Sequence, residues 1–306
     1  MIRVEDLVFD YPGFRALDGI TFSVEPRSIT ALVGPNGAGK TTLLNCIAGL
    51  ALPAAGRVEL DGIDVHRSPR EAHARMGYLA DFFGVYGELT VARCLDYRAR
   101  AQGIPSERRR VAVERAAERL GLADRLGQRA GELSRGLRQR LAIAQAIVHE
   151  PAVILLDEPA SGLDPEARFG LAAVLRALRD DGMTLVVSSH ILAELEDYST
   201  HLLVLERGHV LEHRALDGIA GAGTARIEVR LAAPRHDLAG VLASLGLDKI
   251  EVDGTCARFE AAPGPGEQAA LLRRLIEAGL PVASFAPIKP DLQDAYLALL
   301  RESRKP

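Results

Sequence analysis

Gly34-Pro35-Asn36-Gly37-Ala38-Gly39-Lys40-Thr41-Thr42 is the stretch around which this chain is organised. A glycine, four residues, then Gly39-Lys40-Thr41 is the spacing of a phosphate-binding loop. Its surroundings fit. Ser28 to Val33 predicts a short apolar strand entering the loop. Leu43, Leu44 and Ile47 follow at helical spacing, and Gly49 stands where a helix C-terminal glycine belongs. Gly34, Gly37 and Gly39 let the backbone curl so that successive N–H groups face phosphate oxygens. The helix N-terminus behind them adds partial positive charge. Lys40 is placed to reach the β- and γ-phosphates, and the Thr41 hydroxyl to ligate Mg²⁺. A chance glycine-rich turn would not bring strand, loop, lysine, hydroxyl and helix into register, so the stretch implies nucleoside triphosphate binding.

The same ordered chemistry recurs downstream. Val153-Ile154-Leu155-Leu156 predicts a buried central strand that delivers Asp157 and Glu158 at its C-terminal edge. One carboxylate can hold Mg²⁺ while the next orients and deprotonates water. Met183 to Ser188 predicts another apolar strand, and His190 leaves it at the same sheet edge, which makes this histidine a functional candidate. Leu133 to Arg140 opens a helix whose buried stripe is Leu137, Leu141, Ala144 and Val148. Ser134 and Gly136 sit at its N-terminal end, where free N–H groups can meet an anion. Asp164-Pro165 starts a further helix as N-cap and first-turn proline.

At 306 residues the chain should hold about two domains. A net charge of −4 argues against a dedicated nucleic-acid binder. The arginine-dense segment Glu107 to Leu120 interleaves glutamates, so a solvated helix face explains it better than a nucleic-acid patch. Cys46, Cys94 and Cys256 lie far apart without metal-ligand spacing and are expected as reduced thiols in a cytosolic protein. No signal peptide and no run long enough for a membrane span are expected.

Residues 2–9, 20–24 and 57–60 predict short strands, residues 71–150 a mainly helical region, and His201–Leu205 with Val210–Glu212 a closing hairpin. After a joint at Gly218–Gly223 the pattern restarts. Strand, helix, hairpin (turning at Asp253-Gly254), helix and strand follow in the order β-α-β-β-α-β, with an added helix over Leu292 to Leu299.

Together these motifs resemble the nucleotide-binding subunit of an ATP-binding cassette (ABC) transporter. Gly34–Thr42 matches the Walker A loop, Leu133-Ser134-Arg135-Gly136-Leu137 the signature motif and Val153–Glu158 Walker B. Ser161-Gly162-Leu163-Asp164 matches the D-loop and His190 the switch histidine. Two departures stand out: Arg135 and Leu137 replace the signature's usual glycine and glutamine, and Asp81 stands at the Q-loop position in place of glutamine.

The resemblance implies an α/β P-loop NTPase core with antiparallel-β and helical subdomains, the helical one over about residues 82–150. It places this ATPase domain at 1–220 and a C-terminal α+β ferredoxin-like domain, regulatory or docking, at 221–306. That module is similar to extensions on bacterial exporter ATPases. ATP and Mg²⁺ are the implied cofactors. Tyr11 is implied to stack on adenine, with Asn36 and Thr42 completing the loop's nucleotide contacts. Glu158 is implied as general base and His190 as γ-phosphate sensor. Thr41, Asp157 and Asp81 are the candidate metal ligands, although Asp81 can equally cap the turn into Phe82-Phe83-Gly84. A head-to-tail dimer, homodimeric or with a second nucleotide-binding subunit, would bring Ser134 and Gly136 of one protomer to the γ-phosphate held by the other. The implied role is Mg-ATP hydrolysis powering a separate integral-membrane permease, for export, from the cytoplasmic face and without nucleic acid. A cassette acting on nucleic acid or the ribosome, or a nucleotide-sensing adaptor, is the alternative. Against the first stand a single cassette and only about 110 residues between the Walker motifs; against the second stand Glu158 and His190.

Overall fold

The computed structural model describes residues 1–81, 84–189, 191, 195, 197–216, 225–262 and 264–288. His190, the joint at 218–223 and the expected helix over 292–299 lie outside the described residues. The chain divides into two compact units, Met1–Arg214 and Ala215–Pro306.

In the first unit, β1 (Ile2–Tyr11), β2 (Phe14–Val24), β4 (Ala55–Leu60) and β5 (Ile63–Asp64) form an antiparallel sheet in the order β2-β1-β4-β5. The first hairpin is longer than its apolar pattern predicts. Tyr11 pairs with Phe14 across the Pro12-Gly13 turn, and the Asp10–Arg15 pair at 2.9 Å ties the polar extension together. The second sheet has six strands in the order β10-β9-β3-β8-β7-β6. They are β3 (Ile29–Val33), β6 (Met76–Leu79), β7 (Val153–Leu156), β8 (Thr184–Ser189), β9 (His201–Glu206) and β10 (His209–Ala215). β3 runs parallel to both β8 and β9, and β7 parallel to both β8 and β6. Full burial of β7 matches its continuous apolar sequence, and β3 and β8 are buried throughout although β3 carries Thr30 and β8 carries Thr184, Ser188 and Ser189.

Strand β6 lies inside the region from residue 71 that the sequence predicts as mainly helical. It is only four residues long and contains Gly77 and Tyr78. Gly77 is required by packing, since a Cβ there would lie 2.3 Å from the Ala146 carbonyl oxygen.

Helix α1 (Lys40–Ile47) lies between the two sheets. Its Leu43, Leu44 and Ile47 are fully buried with Ile2, Leu17 and Leu32, each burial contributing about 1.5–3 kcal/mol. Gly49 ends the helix with φ +67°, its N–H donating to the Cys46 carbonyl, as the glycine position predicts. Helices α3 (Val91–Ala101), α4 (Ser106–Arg119) and α5 (Arg135–Ile147) pack together, after a short α2 (Pro69–His73). The arginine-rich α4 buries only Val113, Ala116 and Ala117, as expected of a solvated helix. In α5 the expected stripe is only part of the buried surface. Leu141, Ala144 and Val148 are buried and Leu137 half-buried, but Ala142, Ile143, Ala146 and Ile147 are buried as well. The second half of α5, packed among other helices and β6, buries more than one face, whereas its arginine-rich first half keeps Arg135 and Arg138 exposed. Helix α6 (Pro165–Asp180) starts as predicted, Asp164 Oδ1 accepting from the Ala167 N–H at 2.8 Å.

The second unit contains β11 (Ala225–Leu231), α7 (Leu238–Ser244), β12 (Asp248–Asp253), β13 (Cys256–Ala261), α8 (Pro265–Glu277) and β14 (Val282–Ile288). The sheet order β12-β13-β11-β14, with every neighbouring pair antiparallel, is the ferredoxin-like arrangement. Its own core joins Ile227, Val229 and Phe259 of the sheet to Leu238, Leu242, Leu271 and Leu275 of the helices.

Each unit has a closed core, and each therefore meets the physical requirement for folding alone. A chain ending after residue 216 is expected to fold and to bind ATP with the affinity of the full chain, measured by titration with a fluorescent nucleotide. Failure of the shortened chain to bind would show that the first unit depends on the second.

Candidate nucleotide site

The parallel sheet register sets the site. Val33 lies opposite Ser189, Leu156 opposite Val187, and Leu79 opposite Leu156. The loop at Gly34, the carboxylates at 157–158 and Asp81 therefore all leave the sheet at its C-terminal edge, where open α/β sheets bind ligands. Gly34 admits no side chain, because a Cβ would stand 2.2 Å from the Leu205 carbonyl oxygen. Gly39 turns the chain into α1 at φ +105°, a conformation open to glycine.

Lys40 is buried, and its Nζ donates to the carbonyl oxygens of Gly34 at 2.8 Å and Pro35 at 3.4 Å. The Glu158 carboxylate stands 3.9 Å from that nitrogen. Burial pulls the ammonium below the usual lysine range, partly offset by Glu158 and Asp157.

A cleft of about 530 Å³ opens over the loop, within the range of small-molecule sites. Tyr11, Asn36, Gly37, Gly39, Lys40, Thr41, Thr42, Asp81 and Glu158 line it. The Tyr11 hydroxyl hydrogen-bonds Thr42 Oγ1 at 3.3 Å, and its ring packs edge-on against Phe9. Phe14, the cross-strand neighbour of Tyr11, and Ser161, the first residue of the D-loop segment, also line the cleft, and of these the sequence alone did not single out Phe14.

Asp157 is buried beside Glu158. Its Oδ1 accepts a 2.5 Å hydrogen bond from Ser188 Oγ, and the same hydroxyl accepts from the Glu158 N–H at 2.9 Å. Oδ2 of Asp157 is buried and has no hydrogen-bond partner among the described residues. An orphaned carboxylate oxygen beside a phosphate loop suits a hard divalent cation. Ser188 escaped the sequence analysis. Its only signal was a polar residue inside an otherwise apolar strand. Burial, with the negative charge of Asp157 and Asp81, pushes the Tyr78 phenol up to about 12.

Ser134, Gly136 and Asp164 do not line this cleft. Ser134 caps α5, accepting from the Leu137 N–H at 3.3 Å, and its side chain is exposed. Gly136 packs so tightly that an added Cβ would lie 2.9 Å from that of Ala167.

The ABC transporter family model matches residues 17–161, which include the loop, the signature segment and the paired carboxylates. A daunorubicin resistance ATP-binding protein of Streptomyces coeruleorubidus is 32% identical, over 99% of this chain and 97% of its own length. The chain belongs to the ATP-binding subunits of ABC transporters. A bacitracin transport ATP-binding protein of Bacillus licheniformis is 28% identical, over 98% of this chain and 97% of that protein. A solved ATP-binding subunit of an ABC transporter superimposes with a TM-score of 0.64 at 30% identity, covering 72% of this chain and 92% of that one.

As a member of this ATPase family the chain binds ATP, so the lowered pKa of Lys40 has a measurable consequence. A triphosphate favours the charged ammonium and raises its pKa on binding. Where pH has begun to deprotonate the free protein's lysine, below its ordinary 10.5, binding takes up protons and weakens as pH rises. Calorimetric titrations with ATP in buffers of different ionisation enthalpy should show proton uptake that grows as pH rises toward the ordinary lysine range. Uptake that persists in Lys40→Met would assign it elsewhere.

Proposed function

We propose that this ABC subunit hydrolyses Mg-ATP to drive a separate membrane permease in the export direction, working as a head-to-tail dimer. The observation that carries the proposal is a division of parts. Loop, lysine and carboxylates meet in one cleft, whereas Ser134 and Gly136 present the N-terminus of α5 outside it. A second subunit would close each cleft with that helix end, whose free N–H groups and dipole suit a γ-phosphate. The relatives named for daunorubicin resistance and bacitracin transport support export. Among the described residues no helix is long and apolar enough to cross a membrane. The proposed place of work is the inner face of the cell membrane, reached through the permease, without nucleic acid. The second unit would regulate or dock.

Within each site the backbone N–H groups from Asn36 to Thr41 cradle the phosphates, Thr42 contributes its hydroxyl, and Tyr11 stacks on the base. Lys40 neutralises the β- and γ-phosphate oxygens. Thr41, Asp157 Oδ2 and Asp81 would hold Mg²⁺, which would supply positive charge to offset that developing on the phosphate. Glu158 orients the attacking water and takes its proton. His190 would sense the γ-phosphate, and the D-loop ending at Asp164 would sit at the dimer seam.

Glu158→Gln keeps shape and hydrogen bonding but cannot accept the proton. ATP affinity should persist, turnover should fall by roughly 10²–10⁴-fold, and ATP should hold the variant as a dimer in light-scattering measurements. Wild-type turnover would remove Glu158 as the base.

Asp81→Asn separates the two roles open to Asp81. A full charge at the cleft repels the triphosphate in the absence of metal and helps retain a divalent cation. The substitution should therefore tighten metal-free ATP binding several-fold and shrink the gain from Mg²⁺. Unchanged affinities under both conditions would leave Asp81 as a turn residue.

A further inference from the structure

Arg135 stands at the first position of α5, between Ser134 and Gly136, where the family's usual residue is glycine. Its side chain stays within its own subunit. Nη2 donates to the Ser161 carbonyl at 3.2 Å, and a Cβ on Gly162 would fall 2.2 Å from the same nitrogen and 2.5 Å from Cζ. The guanidinium thus lies directly on the Gly162 Cα, a seat that exists because residue 162 is glycine at φ +64°. Among the described residues no carboxylate forms an ion pair with Arg135, and the Ser161 carbonyl is the acceptor its guanidinium meets. Ser161 in turn donates its N–H to the Glu158 carbonyl at 3.0 Å and lines the nucleotide cleft. Two hydrogen bonds therefore connect the start of α5 to the backbone of Glu158. At Gly136 the start of α5 packs tightly against the start of α6, where an added Cβ would lie 2.9 Å from that of Ala167.

We propose that Arg135 is a positioning residue that reports the nucleotide held by the partner subunit to Glu158 of its own. The proposal rests on the head-to-tail dimer above. There, Ser134 and Gly136 meet the partner's γ-phosphate. Arg135 carries any displacement of that helix end to the Ser161 carbonyl, and the Ser161 N–H carries it to the turn that aims the Glu158 carboxylate. The coupling is between two ATP sites, so it is read as cooperativity and not as affinity.

The test uses the purified full chain, following hydrolysis rate against ATP concentration for the wild type, Arg135→Ala, Arg135→Lys, Gly162→Ala and the Arg135→Ala/Gly162→Ala pair. The wild type should hydrolyse with a Hill coefficient above one. Arg135→Ala should bring it to one and lower kcat on the order of ten-fold while KM changes little. Arg135→Lys keeps a donor for the carbonyl and should recover most of both. Gly162→Ala takes the guanidinium's seat, so its effect should overlap that of Arg135→Ala and not add to it. In a Glu158→Gln background, Arg135→Ala should still dimerise with ATP. A wild-type Hill coefficient of one, unchanged kcat and cooperativity in Arg135→Ala, additive effects in the pair, or loss of ATP-driven dimerisation would each overturn the proposal. The last would place the guanidinium on the partner's phosphate instead. If Glu158→Gln alone turns over at the wild-type rate, it is the hydrolytic assignment that fails.

Discussion

The structure depends on a buried ammonium held against a sheet edge. Removing the Lys40 charge from water is costly unless oxygen partners replace the lost solvation. Those partners are the Gly34 and Pro35 carbonyls and the Glu158 carboxylate. Supplying them requires a loop that doubles back on its own lysine, which in turn requires glycine where Leu205 closes in on residue 34. It also requires a parallel register that ends β3 and β7 at one edge. The charge count is equally constraining. Among the described residues the buried Lys40 stands beside Asp157 and Glu158, Asp81 lines the same cleft, and a triphosphate would bring more negative charge there. A divalent cation would offset that sum, and Asp157 Oδ2, without a hydrogen-bond partner among the described residues, is a fitting place for it.

Much of this was legible because its causes are local. The loop motif carries its own strand and helix, the Asp164-Pro165 pair is a helix start in any context, and alternation with turns at 253–254 ordered the ferredoxin-like unit. What escaped depends on neighbours distant in sequence. Strand β6 is four residues with a glycine and a tyrosine, and it exists because β7 offers hydrogen bonds and Ala146 leaves room only for glycine. The first hairpin outruns its apolar pattern because charged residues pair across it. The second half of helix α5 buries more than one face because of what packs against it, and periodicity alone does not reveal such neighbours.

The site divides in the same way. Residues with a dedicated chemical type at a fixed spacing, such as Lys40, Thr41, Asp157 and Glu158, could be named from the sequence. Ser188 could not, since a serine in a strand has many uses, and its task of bonding both the Asp157 carboxylate and the Glu158 amide appears only when β7 and β8 are side by side. Phe14 becomes relevant through its pairing with Tyr11. Arg135 was visible as a departure from the signature pattern, but its contact with the D-loop is a fact of three dimensions.

Glu158 shows why these motifs are spaced so closely. Its backbone sits at φ +48°, the left-handed region that costs a non-glycine residue about 1–2 kcal/mol. Such strain persists only where the surroundings over-determine it. Here the N–H is fixed by Ser188 and the carbonyl by the Ser161 N–H, so the turn is clamped on both sides of the strained residue. The second clamp reaches only three residues ahead, because a tight turn closes over that distance. The D-loop therefore has to follow Walker B almost immediately. The residue that clamps the Glu158 carbonyl is, by the same geometry, the first residue of the segment that Arg135 holds.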